Sequence, residues 1–557
     1  MKRVGDYFPI LESLSMAETA IFGINSNLDT GDIINKMVSL EARPMDLVEA
    51  KKLIEEQKLA SFQELKTRLQ TFKSVVTTLN TESRFIVNKG LFSNNSTSDS
   101  NKVVGITTTS SASSGTFSLT VNSLATETKI ISEGFASTTS TLDKGNVKIT
   151  VGSTQKTITL DDSNNTLDGL RLAINNLGLD LKATFLNDGS ATNPVRLLIS
   201  GTKTGSDNGV SIDNSISTIG AGVLTPITFT TTQTAQNASL VVDGVSITKS
   251  SNTVTDVING AALKLESAGS GIISLSTDTD AITDKVSDFV QEYNDLFLFL
   301  SEQLSLDSSS GETGVLFGNF AAQNFQQILR SSISSEITGI SGSFSFLSQI
   351  GITTQTDGTL IIDTNELADA LTTDIQNVSQ LFSSKGSTTN SSVTFVGFTR
   401  NTQPGTYNLQ VSGGIPELAA SGSTTFVDAT GSGNFFAGAA GTDAEGLNFR
   451  IASLTDGSFG QITLSIGVAE ILNRELENMV DTSLNGPLST EIDTITESID
   501  EFNETLLEQA ERLLLFEENL KERFTNLEIV LGRLNSQKDT FNSALAGIQS
   551  LFTQGKK

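Results

Sequence analysis

The 557 residues contain no cysteine and no histidine. The first absence excludes a disulfide framework and thiolate metal sites; the second removes the commonest metal ligand and the usual general base near neutral pH. A Ser-His-Asp triad is therefore impossible, leaving only lysine-assisted variants for which no motif is present. Neither a GxxxxGK[ST] phosphate loop nor a dinucleotide fingerprint occurs, and no metal or cofactor is expected. Positive charge is scarce as well: 36 Lys and Arg stand against 63 Asp and Glu, a net charge of -27. Nucleic acid and anionic membrane surfaces need clustered cations, so neither is an expected partner. Long apolar runs are also missing. The densest, "LFLFL" at Leu296–Leu300, falls far short of the ~20 residues that span a bilayer, so no membrane span is expected. At the N-terminus, "MKRVGDYFPILESLSMAETAIFG" has Asp6, Pro9 and Glu12 interrupting any apolar signal core. No cleavable secretory signal is expected, and export would need another route.

What the sequence does contain is length, 37% apolar residues, and a strong change of pattern along the chain. The length alone implies about four domains. A helical beginning, a β-rich middle, a helical block, a second β-rich insert and a helical end follow one another. Asp29 or Thr30 can cap a helix carrying Ile33, Ile34, Met37 and Leu40, and Pro44 breaks or restarts it. Phe62, Leu65, Leu69, Phe72, Val76 and Leu79 then recur in steps of three and four, a heptad seam. From 103 to 280, stretches such as "GNVKITVGSTQKTITL" (145–160) and "ASLVVDGVSITKS" (238–250) alternate apolar with polar residues between turn signals and predict antiparallel strands. A short helix is predicted at 166–177, longer ones at 282–304 and 318–331, and β structure again at 393–467. "GTFSLTV" (115–121) is echoed by "GTYNLQV" (405–411), which reads equally as a common strand opening and as duplication.

The C-terminal segment has the strongest pattern. Counting in sevens from Ile492, every position is apolar: Ile499, Leu506, Leu513, Leu520, Leu527, Leu534, Phe541 and Ile548. The intermediate positions mix apolar residues with Gln509, Arg523 and Gln537, and the stripe drifts as expected for a seven-residue repeat on a helix of 3.6 residues per turn. The terminal stripe is expected to pack on the Phe62–Leu79 stripe, bringing the two chain ends together. An ordinary antiparallel helical hairpin without functional meaning fits the pattern equally well. Burying roughly ten such side chains at ~1.5 to 3 kcal/mol each outweighs any charge attraction between the two segments. These fourteen residues, six in the first stripe and eight in the second, are the candidate self-assembly residues.

Catalytic candidates are few. Asp161 with Asp162 and Asp278 with Asp280 are paired carboxylates of the kind glycoside hydrolysis uses, but adjacent acids in turns are ordinarily solvated. "DTDAITD" (278–284) lacks the glycine and distal glutamate of a calcium loop. No catalytic, cofactor or metal residue is assigned, and no enzyme activity is expected.

Several segments resemble one family. "GINSNLDTGDIINKMVSLEARPMDLVEAKK" (23–52), "NASLVVDGVSITKSSNTVTDVINGAALKLESAG" (237–269) and "ITDKVSDFVQEYNDLFLFLSEQ" (282–303) resemble, in order, the N-terminal signature, a mid-chain domain and the helix after it in the flagellar filament cap proteins, the flagellar hook-associated protein 2 family. The two GT-strands resemble short repeats of flagellar axial proteins. Asn27 stands where the family has glycine before Leu28, and residues 1–15 have no counterpart, so Met16 is an alternative start. The resemblance implies an α+β multidomain fold: terminal helices forming a coiled-coil leg, a helical body, and antiparallel β-rich outer domains. Its domains would be an N-terminal tail (1–23), the leg (24–60 with 480–557), the body (61–100 with 280–390), a β-rich plate (101–135 with 235–279), an outer lobe (136–234) and a β-rich insert (391–479). It implies a secreted protein at the distal tip of the bacterial flagellum, forming a ring-shaped homo-oligomer, promoting flagellin folding and preventing monomer loss. Flagellin and a secretion chaperone at the C-terminal helix would be partners. A hook-filament junction protein or flagellin relative, a secreted β-rich adhesin and a glycosidase are the alternatives.

Overall fold

The computed structural model describes residues 29–94, 102–214, 227–340, 342–480 and 486–554. The expected tail 1–23, Met16 and the Asn27–Leu28 turn lie outside the described residues. Helix α1 (Thr30–Glu41) begins where Asp29 Oδ1 accepts the amide of Asp32 at 2.9 Å, so a carboxylate answers an otherwise unpaired donor of the first turn. Helix α2 (Arg43–Val76) restarts at once, with Pro44 in its first turn, where a missing N–H breaks no ladder bond. At 1.5 Å per residue α2 is about 51 Å long. A one-turn helix, Glu82–Phe85, follows it. The later helices are α3 (Leu167–Asn175), α4 (Thr279–Gln303), α5 (Phe320–Ser334), α6 (Thr364–Phe382), α7 (Val468–Val480) and α8 (Pro487–Gln554).

The second half of α2 lies at the centre of a helical bundle. Phe62, Leu65, Leu69, Phe72, Val76 and Leu79 are all at most 2% exposed and pack with Val286, Phe289 and Tyr293 of α4 and Leu472 and Leu476 of α7. This changes the partner expected for that stripe. The terminal helix gives it only Leu488 and Ile495, with Ile492 and Ile499 half-buried beside them. The physical reason is competition: α4 carries its own stripe at helical spacing, and its aromatic rings fill the seam. The Phe72 ring lies 5.6 Å from Phe289 and 6.3 Å from Tyr293, and Phe382 at the end of α6 stands edge-on to Phe289 at 5.9 Å. Such pairs add stability beyond the area they bury.

Burial marks the bundle in a second, measurable way. Tyr293 is fully buried, its hydroxyl near the carbonyl of Gly358, and desolvation of the phenolate pushes its pKa up to about 12. Outside the bundle, Tyr407 of the strand Gly405–Ser412, whose hydroxyl donates to the carbonyls of Gln403 and Asp443, is likewise raised to about 12, by burial and then by the Asp443 charge. Both phenols are favoured neutral, so stability from them holds at lower pH and falls as pH rises through the ordinary tyrosine value of 10.0. An alkaline absorbance titration should therefore show these two tyrosines ionising only near pH 12 or on unfolding; ionisation near pH 10 would show them solvated.

The first β sandwich follows the one-turn helix. Its larger sheet has the spatial order Asn88–Asn94, Gly269–Thr277, Gly115–Ser123, Ala238–Val242, Val245–Lys249, all neighbours antiparallel. Its smaller sheet is Thr253–Ile258, Ala261–Leu265, Val104–Thr108, and Leu119, Leu240, Leu263 and Ile273 fill the space between. Residues 88–94, expected in the helical body, are thus an edge strand of this sandwich, because seven successive residues pair with Gly269–Thr277.

Between Ser123 and Ala238 the chain makes an outer module of two sheets and α3. One sheet runs Phe229–Gln233, Lys129–Ser132, Val195–Gly201, Leu181–Asn187; the other runs Thr154–Leu160, Gly145–Val151, Val210–Asn214. Thr166 caps α3 by accepting the amide of Gly169 at 3.0 Å, and Leu170 and Ile174 point into the module's core. The module begins at Lys129, earlier than the expected 136, since that strand pairs with Val195–Gly201.

A second β sandwich leaves the bundle after α6. Its sheets are Lys385–Thr388, Gly457–Ser465, Gly405–Ser412, Ile415–Ala420, Val427–Asp428 and Val393–Gly397, Asn448–Ile451, Phe435–Ala437, Thr430–Ser432. The expected insert 391–479 is therefore shifted: its first strand starts at Lys385, and α7 belongs to the bundle, where Leu472 and Leu476 are fully buried.

Candidate assembly surface

Helix α8 spans 68 residues, about 102 Å at 1.5 Å per residue. Pro487 sits in its first turn, and no proline follows to break it. After leaving the bundle at Ile499 it runs antiparallel along the first half of α2 and then α1. The register is marked by Arg512 Nη2, 3.9 Å from Glu41 Oε1, and by Gln509 and Leu513 beside Ala42 and Met45. The candidate residues divide along this path. Ile499, Leu506 and Leu513 are half-buried, and Leu520 is buried. Beyond Leu520 the stripe opens: Leu527 is 43% exposed, Leu534 53%, Phe541 66% and Ile548 52%. Val530 and Leu545 are exposed beside them. Ile529, also exposed, was not singled out by counting in sevens: two residues past Leu527 it lies about 160° around the helix, off the stripe. Phe62, Leu65, Leu69, Phe72, Val76 and Leu79 are not part of this surface, being closed inside the bundle.

The seam itself is imperfect. Asn503 Oδ1 and Gln509 Oε1 are buried atoms that accept no hydrogen bond among the described residues, and each such oxygen costs about 1 to 3 kcal/mol relative to a satisfied one. The other two polar residues at the intermediate positions, Arg523 and Gln537, are exposed. The paired acids are occupied elsewhere. Asp161 accepts the amide and hydroxyl of Ser163 at 2.9 and 2.6 Å, which holds its carboxyl below the usual range, and Asp162 pairs with Lys144 at 2.6 Å. Asp278 caps α4 and pairs with Lys89 at 3.0 Å. Among the described residues no group of three or more Asp and Glu is placed to hold a metal ion, and no helix is long and apolar enough to cross a membrane.

Residues 26–128 match the family model described as "Flagellar hook-associated protein 2 N-terminus", and residues 235–536 match "Flagellar hook-associated protein 2 C-terminus". The chain belongs to the flagellar hook-associated protein 2 family. It is 32% identical over 397 residues to the B-type flagellar hook-associated protein 2 of Pseudomonas aeruginosa, covering 65% of this chain and 79% of that one. The flagellar hook-associated protein 2 of Escherichia coli K12 is 29% identical over 403 residues, covering 67% of this chain and 82% of that one. The crystal structure of the E. coli flagellar cap protein FliD, domains D1-D2-D3, aligns with a TM-score of 0.48 at 27% identity, covering 58% of this chain and 89% of that one. As a member of this family the chain is a flagellar filament cap protein, and its place is the distal tip of the filament. The residues matched to the C-terminal family model end at 536, within the exposed part of the α8 stripe.

Proposed function

We propose that copies of this chain form a ring on the filament tip, hold newly exported flagellin there and promote its folding onto the growing end. In this reading α1, the first half of α2 and α8 are the leg that reaches the filament, the bundle is the body, the first sandwich is the plate and the outer module is the lobe. The observation that carries it is the run Leu527 to Ile548, apolar on one face and exposed, which gains only when it docks. A secretion chaperone covers this same helix before assembly, and the protein acts without catalytic chemistry. The seam oxygens of Asn503 and Gln509 let the leg release and rebind as subunits are added. The test is a strain lacking the gene. It should shed flagellin monomers into the medium without building filaments and be restored by the full chain; filaments of normal length in its absence would refute the reading.

A further inference from the structure

The two sandwiches are seated on the bundle in the same way. Both larger sheets have the same order: the first strand, the last strand, the GT-strand, then a hairpin. In the first, Gly115, Phe117 and Val121 pair with Leu275, Ile273 and Gly269; in the second, Gly405, Tyr407 and Val411 pair with Leu464, Ile462 and Gly457. Gly90 pairs with Leu275 and Gly386 with Leu464, and a Cβ on either would lie 2.3 Å from the side chain of Ile106 or Phe395, each the third residue of the strand above. Phe85 and Phe382 each stand three residues before the first strand, and their rings stack at 5.4 Å. The second sandwich therefore repeats the first without the outer module, so one junction with the bundle can be compared with the other.

The seventh residue of the helix leaving each sandwich is a cation, Lys285 in α4 and Arg474 in α7. At the second junction that cation is satisfied. Arg474 donates to the carbonyls of Thr402 and Thr399 at 3.0 and 3.3 Å, pairs with Glu470 at 3.2 Å, and lies over the Phe398 ring. At the first junction the same space is an open cleft of about 710 Å³, lined by Thr77, Arg84, Asn88, Thr109, Ser110 and Lys285. Here Asn88 Nδ2 gathers the carbonyls of Thr109, Ser110 and Ala112 to itself. The place of Glu470 is taken by Ala281. Lys285 donates to the Arg84 carbonyl at 2.6 Å, and Arg84 donates to the Thr77 carbonyl and Asn80 Oδ1; neither cation reaches a carboxylate among the described residues. Partial burial pushes the Lys285 ammonium down from the ordinary lysine value, with no carboxylate among the described residues close enough to offset it.

We propose that this cleft receives an acidic segment of a second copy of the chain, whose carboxylate and main-chain carbonyls take the places that Glu470, Thr399 and Thr402 fill at the second junction. A second copy is the occupant on charge grounds. With 63 acidic residues against 36 basic ones, copies repel except where an acid of one meets an unneutralised cation of the other. The inference rests on the ring reading given above and specifies one contact within it.

The experiment compares the full chain with Lys285→Gln and Lys285→Arg, measuring self-association by sedimentation across a salt series and thermal unfolding by circular dichroism. Lys285→Gln should weaken association at least about tenfold and flatten its salt dependence, as removal of one desolvated charge pair does. Its melting temperature should stay level or rise, because an unpaired desolvated charge has been removed, and Lys285→Arg should associate like the parent chain. Association of Lys285→Gln equal to that of the parent would overturn the cleft proposal and leave the ring standing, as would a loss confined to flagellin binding. A parent chain that never associates would overturn both.

Discussion

Replacing Leu534 and Phe541 together by aspartate is expected to abolish filament growth while leaving the folded chain's thermal unfolding unchanged. Both side chains are more than half exposed and belong to no core cluster. Within a long helix the exchange costs only about 0.5 kcal/mol per residue in propensity. On docking the balance reverses. Each lost side chain forgoes about 1.5 to 3 kcal/mol of burial, and each new carboxylate must be desolvated against an apolar partner. Electron microscopy of filaments in the gene-deleted strain, alongside a circular dichroism melt, reads both sides. Normal filaments would show the stripe to be idle, and a melting point lowered by several degrees would show it packed within the chain.

The second large effect is on stability. Phe289→Ala should lower the unfolding free energy by about 3 to 5 kcal/mol, the usual result of emptying an aromatic site in a close-packed core. Phe289 is fully buried and its ring meets Phe72 of α2 and Phe382 of α6, so the cavity opens where three distant parts of the chain converge. Those parts cannot close it independently, since α2 and α6 also seat the two sandwiches. Urea unfolding followed by circular dichroism gives the value; a loss below about 1 kcal/mol would mean that this site can collapse and that the bundle is not the chain's central core.

Much of the helical architecture is legible in the sequence because local rules act within a turn or two. Asp29 caps α1, Pro44 opens α2 and Thr166 caps α3, each from a residue type whose chemistry is confined to its neighbourhood. Hairpins such as Gly145–Leu160 are equally local. What escapes is pairing across long separations. "NKGLFSN" at 88–94 has two apolar residues and no alternation to speak of, and becomes a strand only because Gly269–Thr277 offers it an edge. Helix α7 follows a β-rich stretch directly, and its burial against α2 is invisible to any window of neighbouring residues. The Phe62–Leu79 seam was visible, but not its choice between α4 and α8, because that choice rests on ring packing and not on periodicity. On the assembly surface, the opening of the stripe after Leu520 depends on what packs alongside each turn of α8, which spacing alone does not carry. The short echo between the two GT-strands is similarly mute until strand order and register are compared.

The way the second sandwich is attached has a consequence for how the molecule can vary. Lys385 and Ser465 face each other across neighbouring antiparallel strands, so the outgoing and returning chain are only about 5 Å apart. Some eighty residues lie between these two points. Excising them would let the chain run from Phe382 to Val468 with little rearrangement, but it would strip Arg474 of the carbonyls of Thr399 and Thr402, so a shortened chain stays sound only if that guanidinium is replaced as well.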